Sequence, residues 1–285
     1  MKTPNTKGFT IAELMVAVAI MAIALTAMGW VFKISIDAQR MSAATTEISR
    51  KLRAITDQIE ADFQGVRVDM PAAIYNKRST DDGIAADRIW FVANGDFQTT
   101  RQYKNNGTDK TVFGNMAQIT YAMSEEDVPN KVPNPLSTDP KDGDQKYLLR
   151  RQTIFTADTE WADPANTQKT EYIEKASMPW MITNIVSEPN NSGLQSLTRI
   201  PLIPSDGNDV PFIIAKGVEN FRIEMLNAAS AIDPNGALNW ADANDNHKIK
   251  TYPQALKFSF RLYSKTKING KPLSKSFSHI VDLQQ

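Results

Sequence analysis

Lys7-Gly8-Phe9-Thr10-Ile11-Ala12-Glu13, followed without interruption by the apolar run from Leu14 to Phe32, decides how the rest of the chain is read. The 23 residues from Thr10 to Phe32 carry one charge, Glu13. A run of about 20 apolar residues has the length of a membrane-spanning helix and exceeds the core of a signal peptide. A carboxylate near one end of such a span costs a few kcal/mol in lipid, so the sequence predicts a partner for it. Lys2 and Lys7 precede the run, and basic residues favour the cytoplasmic side, which places this end in the cytoplasm. No second run of comparable length follows, so a single pass is expected, with the bulk of the chain across the membrane.

The helix should continue beyond the membrane. Between Phe9 and Gln64 there is no proline, and Gly29 is the one weak helix former of its kind. At about 1.5 Å per residue, a continuous helix here would be roughly 80 Å long. Its character changes at Lys33. Met41, Thr45, Ile48, Leu52, Ile55, Ile59 and Phe63 recur at spacings of three and four, which makes one apolar stripe. Arg50, Lys51, Arg53, Asp57 and Glu60 fall on the wet faces. This half is predicted to lie on a sheet, and Gly65 is expected to stop it as a C-terminal glycine does.

After Gly65 the chain reads as strands and loops. Residues 88–93 (RIWFVA), 98–103 and 118–123 have strand character, and four prolines mark residues 124–144 as a loop. Strand character resumes over 146–155, and residues 156–179 are irregular. Val218, Phe221, Ile223 and Met225 lie near one face of a further strand. Leu256, Phe258, Phe260 and Leu262 alternate strictly with Lys257, Ser259, Arg261 and Tyr263, the pattern of a half-buried strand. Asn269-Gly270 is a strong hairpin signal, and residues 277–283 are expected to return as the partner strand. Lys265, Lys267, Lys271 and Lys275 would keep the tip soluble. There is no internal repeat.

Composition argues against catalysis. The 285 residues have zero net charge, and without residues 1–8 the balance is 30 basic to 32 acidic, which gives no electrostatic case for nucleic acid. Cysteine is absent and there are two histidines, His247 and His279. No Ser-His-Asp pattern, HExxH, Walker loop or GxGxxG occurs, so the chain is not expected to be an enzyme. Asp242, Asn244 and Asn246 alternate like the first half of a calcium loop. The sixth position is His247 instead of glycine and the twelfth is Pro253 instead of glutamate, so they are weak calcium candidates beside the plainer reading of a polar turn. Residues 139–144 and 206–209 invite the same pair of readings. Trp161, Trp180 and Trp240 sit in polar contexts and read either as partner anchors or as loop packing.

Gly8-Phe9-Thr10-Ile11-Ala12-Glu13 before an apolar helix resembles the class III leader of type IV pilins and type II secretion pseudopilins. The resemblance implies cleavage between Gly8 and Phe9 by a membrane prepilin peptidase, with Phe9 becoming the N-methylated first residue. It also implies that Glu13, fifth in the processed chain, takes part in subunit assembly by meeting a neighbour's positive N-terminus. An ordinary signal anchor explains the apolar run and the lysines but gives no reason for Glu13. Downstream, Ile59-Glu60-Ala61-Asp62-Phe63, Tyr147-Leu148-Leu149-Arg150-Arg151, Gly217-Val218-Glu219-Asn220-Phe221-Arg222-Ile223 and Ala255-Leu256-Lys257-Phe258 look like the J-type minor pseudopilin and the W-type minor pilin. The chain departs from many type IV pilins in lacking a C-terminal cysteine pair and a proline near Trp30.

The implied fold is α+β and pilin-like, a long N-terminal helix packed on an antiparallel sheet domain. Its parts would be a leader over 1–8, a transmembrane helix over 9–32, an amphipathic continuation over 33–64 and a periplasmic β-rich domain over 65–285. The implied function is a minor pseudopilin of a type II secretion pseudopilus, at its tip. One alternative is a minor pilin of a type IV pilus or DNA-uptake filament. From another class, a membrane-anchored periplasmic enzyme or ligand-binding domain could carry the same leader. The expected partners are prepilin peptidase, other pseudopilins or pilins, and the inner membrane, with no cofactor and no nucleic acid.

Overall fold

One helix, α1 (Ile11–Gln64), runs through the whole apolar stretch and its amphipathic continuation and passes Gly29 without a break. The computed structural model describes residues 10–70, 72–76, 84–105, 108–124, 136, 145–156, 171–174, 212–226, 241–242, 247–249, 252–268 and 270–283. The stripe forms as its spacing predicts: Ile48, Ile55, Ile59 and Phe63 are buried, with Leu52 packed at the margin. Met41 stays 46% exposed because it lies before the helix reaches the strands, and Ala44 is the first buried residue. Asp62 is buried on the same stripe, a place where the periodicity anticipates an apolar residue.

Gly65 ends the helix for a different reason than expected. Its φ of −94° and ψ of 4° lie outside the left-handed region. A Cβ there would stand 2.0 Å from the Asn94 carbonyl oxygen, so glycine is required by close approach. Asn94 N–H donates to Gly65 O at 2.7 Å, which docks the helix end against a strand.

The strands are β1 (Ala72–Tyr75), β2 (Arg88–Asn105), β3 (Thr108–Met123), β4 (Tyr147–Thr156), β5 (Tyr172–Glu174) and β6 (Phe212–Lys216), then β7 (Val218–Leu226), β8 (Ala241–Asp242), β9 (His247–Ile249), β10 (Ala255–Ile268) and β11 (Lys271–Asp282). They form two sheets, one in the order β5-β4-β3-β2-β1-β9 with β6 also on β4, the other β11-β10-β7-β8. Pairing is antiparallel apart from β4 with β5. The segments 88–93 and 98–103 are one strand, β2, because irregularities between Asn94 and Phe97 and between Gln98 and Gln102 absorb the break. Strand β3 begins ten positions earlier than its apolar run suggests, since Asn105 already pairs with Thr108. The intervening Asn106-Gly107 is the same hairpin signal as Asn269-Gly270.

Alternation along β10 holds: Leu256, Phe258, Phe260 and Leu262 are all buried. Phe63 of the helix bridges the sheets, with ring centroids 4.2 Å from Phe91 on β2 and 5.6 Å from Phe258 on β10. Ile89, Phe91 and Ala93 join this main core, while Trp90 and Val92 are buried on the opposite face of β2. Gly217 lets the chain pass from β6 in one sheet to β7 in the other. Its φ is +77° and a Cβ would lie 2.9 Å from Tyr263 O, so both the turn and the space demand glycine. Just beyond, Asn220 takes φ 56° and its side-chain oxygen accepts from Ala85 N–H at 2.8 Å.

Three polar contacts fasten the layers. Arg150 Nε and Nη2 donate to the two Asp62 oxygens at 2.6 and 2.7 Å, and Tyr121 Oη donates to the same carboxylate. Lys146, fully buried on the β4 side, pairs with Glu219 at 2.9 Å, and Tyr263 Oη donates to that glutamate at 2.7 Å. On the helix, Glu47 accepts from Lys265 N–H at 2.9 and 3.0 Å, while Lys51 Nζ donates to Tyr263 O at 2.7 Å.

Removing one partner of the first contact strands a buried charge. Arg150→Met should therefore lower stability by about 3–5 kcal/mol, whereas Asp62→Leu with Arg150→Met should cost less than Arg150→Met alone, as read by urea unfolding. Burial, and then the negative charge of Asp62, hold the Tyr121 phenol well above its ordinary range. The folded chain keeps a proton that the unfolded chain releases near pH 10, so stability is full below about pH 10 and falls as pH rises beyond it. Unfolding midpoints measured from pH 8 to 11 should decline, and less steeply in Tyr121→Phe.

Candidate functional site

The site begins where the described residues begin. Thr10 caps α1 with extended φ and ψ of −81° and 150°. Its Oγ1 accepts from Glu13 N–H at 3.3 Å, and Glu13 Oε2 accepts from Thr10 N–H at 2.9 Å and from Thr10 Oγ1 at 3.0 Å. This capping box satisfies donors that a helix N-terminus otherwise leaves open. It uses one carboxylate oxygen, and Oε1 has no partner among the described residues. Glu13 thus starts the helix and still offers a free oxygen at its tip.

Around and beyond Glu13 the helix has no cover. Leu14, Met15, Val16 and Ile20 are all exposed although they point to different sides of α1. Among the described residues one apolar helix is long enough to cross a membrane, and none of its most apolar window is buried within the chain. A helix apolar all round must be covered by lipid or by other helices. The hydroxyl within this run, on Thr26, is satisfied by Ala22 O at 2.8 Å. What the arrangement can do chemically follows: a carboxylate with a spare acceptor, at the edge of a lipid-covered rod, can pair with a cation delivered at the same depth.

The other residues singled out by the sequence fall as follows. Gly8 and Phe9 lie outside the described residues. Asp242 lies in β8 with its backbone opposite Glu224, and Asn244 and Asn246 lie outside the described residues. So do Trp161, Trp180, Trp240 and residues 139–144 and 206–209. His247 is in β9 opposite Ile74, and His279 is in β11 with Nε2 3.4 Å from Glu60 Oε1. Among the described residues no group of three or more His, Cys, Asp or Glu side chains is placed to hold a metal ion.

The downstream segments are brought together in space. Asp62 meets Arg150, Glu219 meets Lys146, and the Phe221 and Phe258 rings lie 6.1 Å apart. Periodicity alone missed Asp62 and Arg150. The available signal was an acid on the buried stripe, between Ile59 and Phe63, which needs a buried cation.

Residues 3–29 match the family described as "Prokaryotic N-terminal methylation motif". No curated protein and no solved structure matches the chain. The N-terminus therefore carries the methylation motif of pilin and pseudopilin precursors, on a chain with a pilin-like α+β arrangement.

Loss of the cap should show locally. In the full chain embedded in lipid nanodiscs, Thr10→Val is expected to speed amide exchange in the first helical turn about fivefold, the effect of a typical lost cap, while exchange on β10 is unchanged.

Proposed function

We propose that the chain is a pilin-type structural subunit and, more narrowly, a minor pseudopilin of a type II secretion system. One observation carries the reading: the methylation motif over residues 3–29 coincides with a lone carboxylate, Glu13, at the head of a helix whose apolar surface is uncovered. In this reading prepilin peptidase cuts after Gly8 on the cytoplasmic side of the inner membrane, and Phe9 becomes the methylated N-terminus. Its ammonium, carried by a neighbouring subunit, meets the free oxygen of Glu13. In a low-dielectric surrounding the attraction within such a pair is far stronger than at a surface, and it offsets desolvation that a lone buried carboxylate would carry in full. Helices then bundle side by side, and the β-rich domain on the periplasmic side selects neighbours. The protein works by assembly, without turnover.

The narrower assignment is supported by the four downstream segments and by a length of 285 residues. A minor pilin would carry the same N-terminal chemistry, so the test has two levels. Mass spectrometry of the mature protein should give an N-methyl-Phe9 terminus; an uncut N-terminus in cells with active prepilin peptidase would overturn the pilin-type reading. Glu13→Ala should insert into the membrane normally yet co-purify with partner subunits at a small fraction of the native yield. Deleting the chain should block export of a secretin-dependent enzyme and leave surface pili intact; the reverse outcome would favour the minor pilin.

A further inference from the structure

Beside α1, the first sheet keeps an open trough. A helix is about 10 Å across and strands lie about 4.8 Å apart, so one helix shields only two or three strands of a wide sheet. Arg150 faces Asp62 on the helix, and Phe212 pairs with Arg150 across β4 and β6, which sets Phe212 at the uncovered end of that face. The resulting groove has a volume of about 560 Å³, with Ala54 and Ala61 of α1 on one wall and Phe212 and Ile213 on the other. A second depression of about 540 Å³ continues it, and Asp96, Phe97, Gln152 and Phe212 line both.

Its lining is that of a recognition surface more than of a solvated crease. Phe212 is 44% exposed and Ile213 is 53% exposed, large apolar side chains left in the wall of a polar trough. Ala54 and Ala61 are short, so a main chain can come close to the helix. Arg150 is buried to all but 7%; Asp62 takes two of its five N–H groups, Gln152 a third, and the Tyr121 hydroxyl lies against the same guanidinium. Asp62 and Arg150 cancel in charge. Asp96, exposed at the junction of the two depressions and free of any ion pair among the described residues, is then the unbalanced charge.

We propose that this groove docks a segment of a partner protein that carries a large apolar side chain next to a lysine or arginine. The apolar group sits between Phe97 and Phe212, and the cation meets Asp96. Two joined depressions suit an extended chain, and the lone acid selects against an acidic one. The site does not depend on how the N-terminus is processed.

The test is selection of a displayed random heptapeptide library on the full chain in nanodiscs, with empty nanodiscs as the control. Enrichment of peptides that hold a large apolar residue beside lysine or arginine is expected. Phe212→Ser should weaken the selected peptides at least tenfold. Asp96→Lys should turn the preference beside the apolar residue from basic to acidic, a result that mere unfolding would not produce. Both positions are exposed, and circular dichroism will verify that the variants fold. Absence of enrichment over empty nanodiscs, or selected peptides that bind both variants as they bind the native chain, would overturn the proposal. So would self-association that disappears with Phe212→Ser, which would assign the groove to a second copy.

Discussion

The forked contact between Arg150 and Asp62 decides where the long helix lies on its sheet. The apolar stripe of α1 supplies most of the attraction, but burial of apolar surface has no direction, and a helix could slide by a turn of about 5.4 Å with modest loss. A guanidinium that reaches both carboxylate oxygens, with a tyrosine hydroxyl on the same group, is satisfied in one register only. Sliding would leave two buried charges apart. The contact therefore contributes specificity of placement even where its net free energy is small.

Placement at one end governs the other. The helix is unbroken from Ile11 to Gln64, so the orientation set at Asp62 is carried roughly 70 Å along the rod to Glu13. The two acids mark its opposite circumstances. Asp62 is enclosed by protein and has its partners within the chain, whereas Glu13 is held by its own helix cap through one oxygen and keeps the other open. One charge closes the fold; the other is left for something outside it.

The second sheet is attached by contacts of the same kind. Gly217 turns the chain from β6 to β7, and its carbonyl accepts from Tyr263 N–H at 2.8 Å while Lys146 and Glu219 pair beneath the crossing. Glu47 and Lys51 hold the β10 end of the hairpin to the helix. With two sheets served by one helix, cover is incomplete, and the groove at Phe97 and Phe212 is what remains. Fold economy and a docking surface have a common origin here.

Much of this was legible in the sequence by itself. The apolar run, the stripe through Ile48, Ile55, Ile59 and Phe63, the alternation along β10 and the Asn269-Gly270 turn are local patterns, written within a few residues of one another. Glu13 was legible because it violates its surroundings. Tertiary structure decided the rest. The bulges that fuse two short runs into β2 need a partner strand to absorb them. Gly65 is glycine because Asn94 O approaches it, a fact absent from its neighbours in sequence. Asp62 and Arg150 stand 88 positions apart, and their meeting depends on the register of the helix on the sheet. Periodicity reports which side of an element is buried; it holds no information about what that side will touch, because contact is fixed only when separate elements pack.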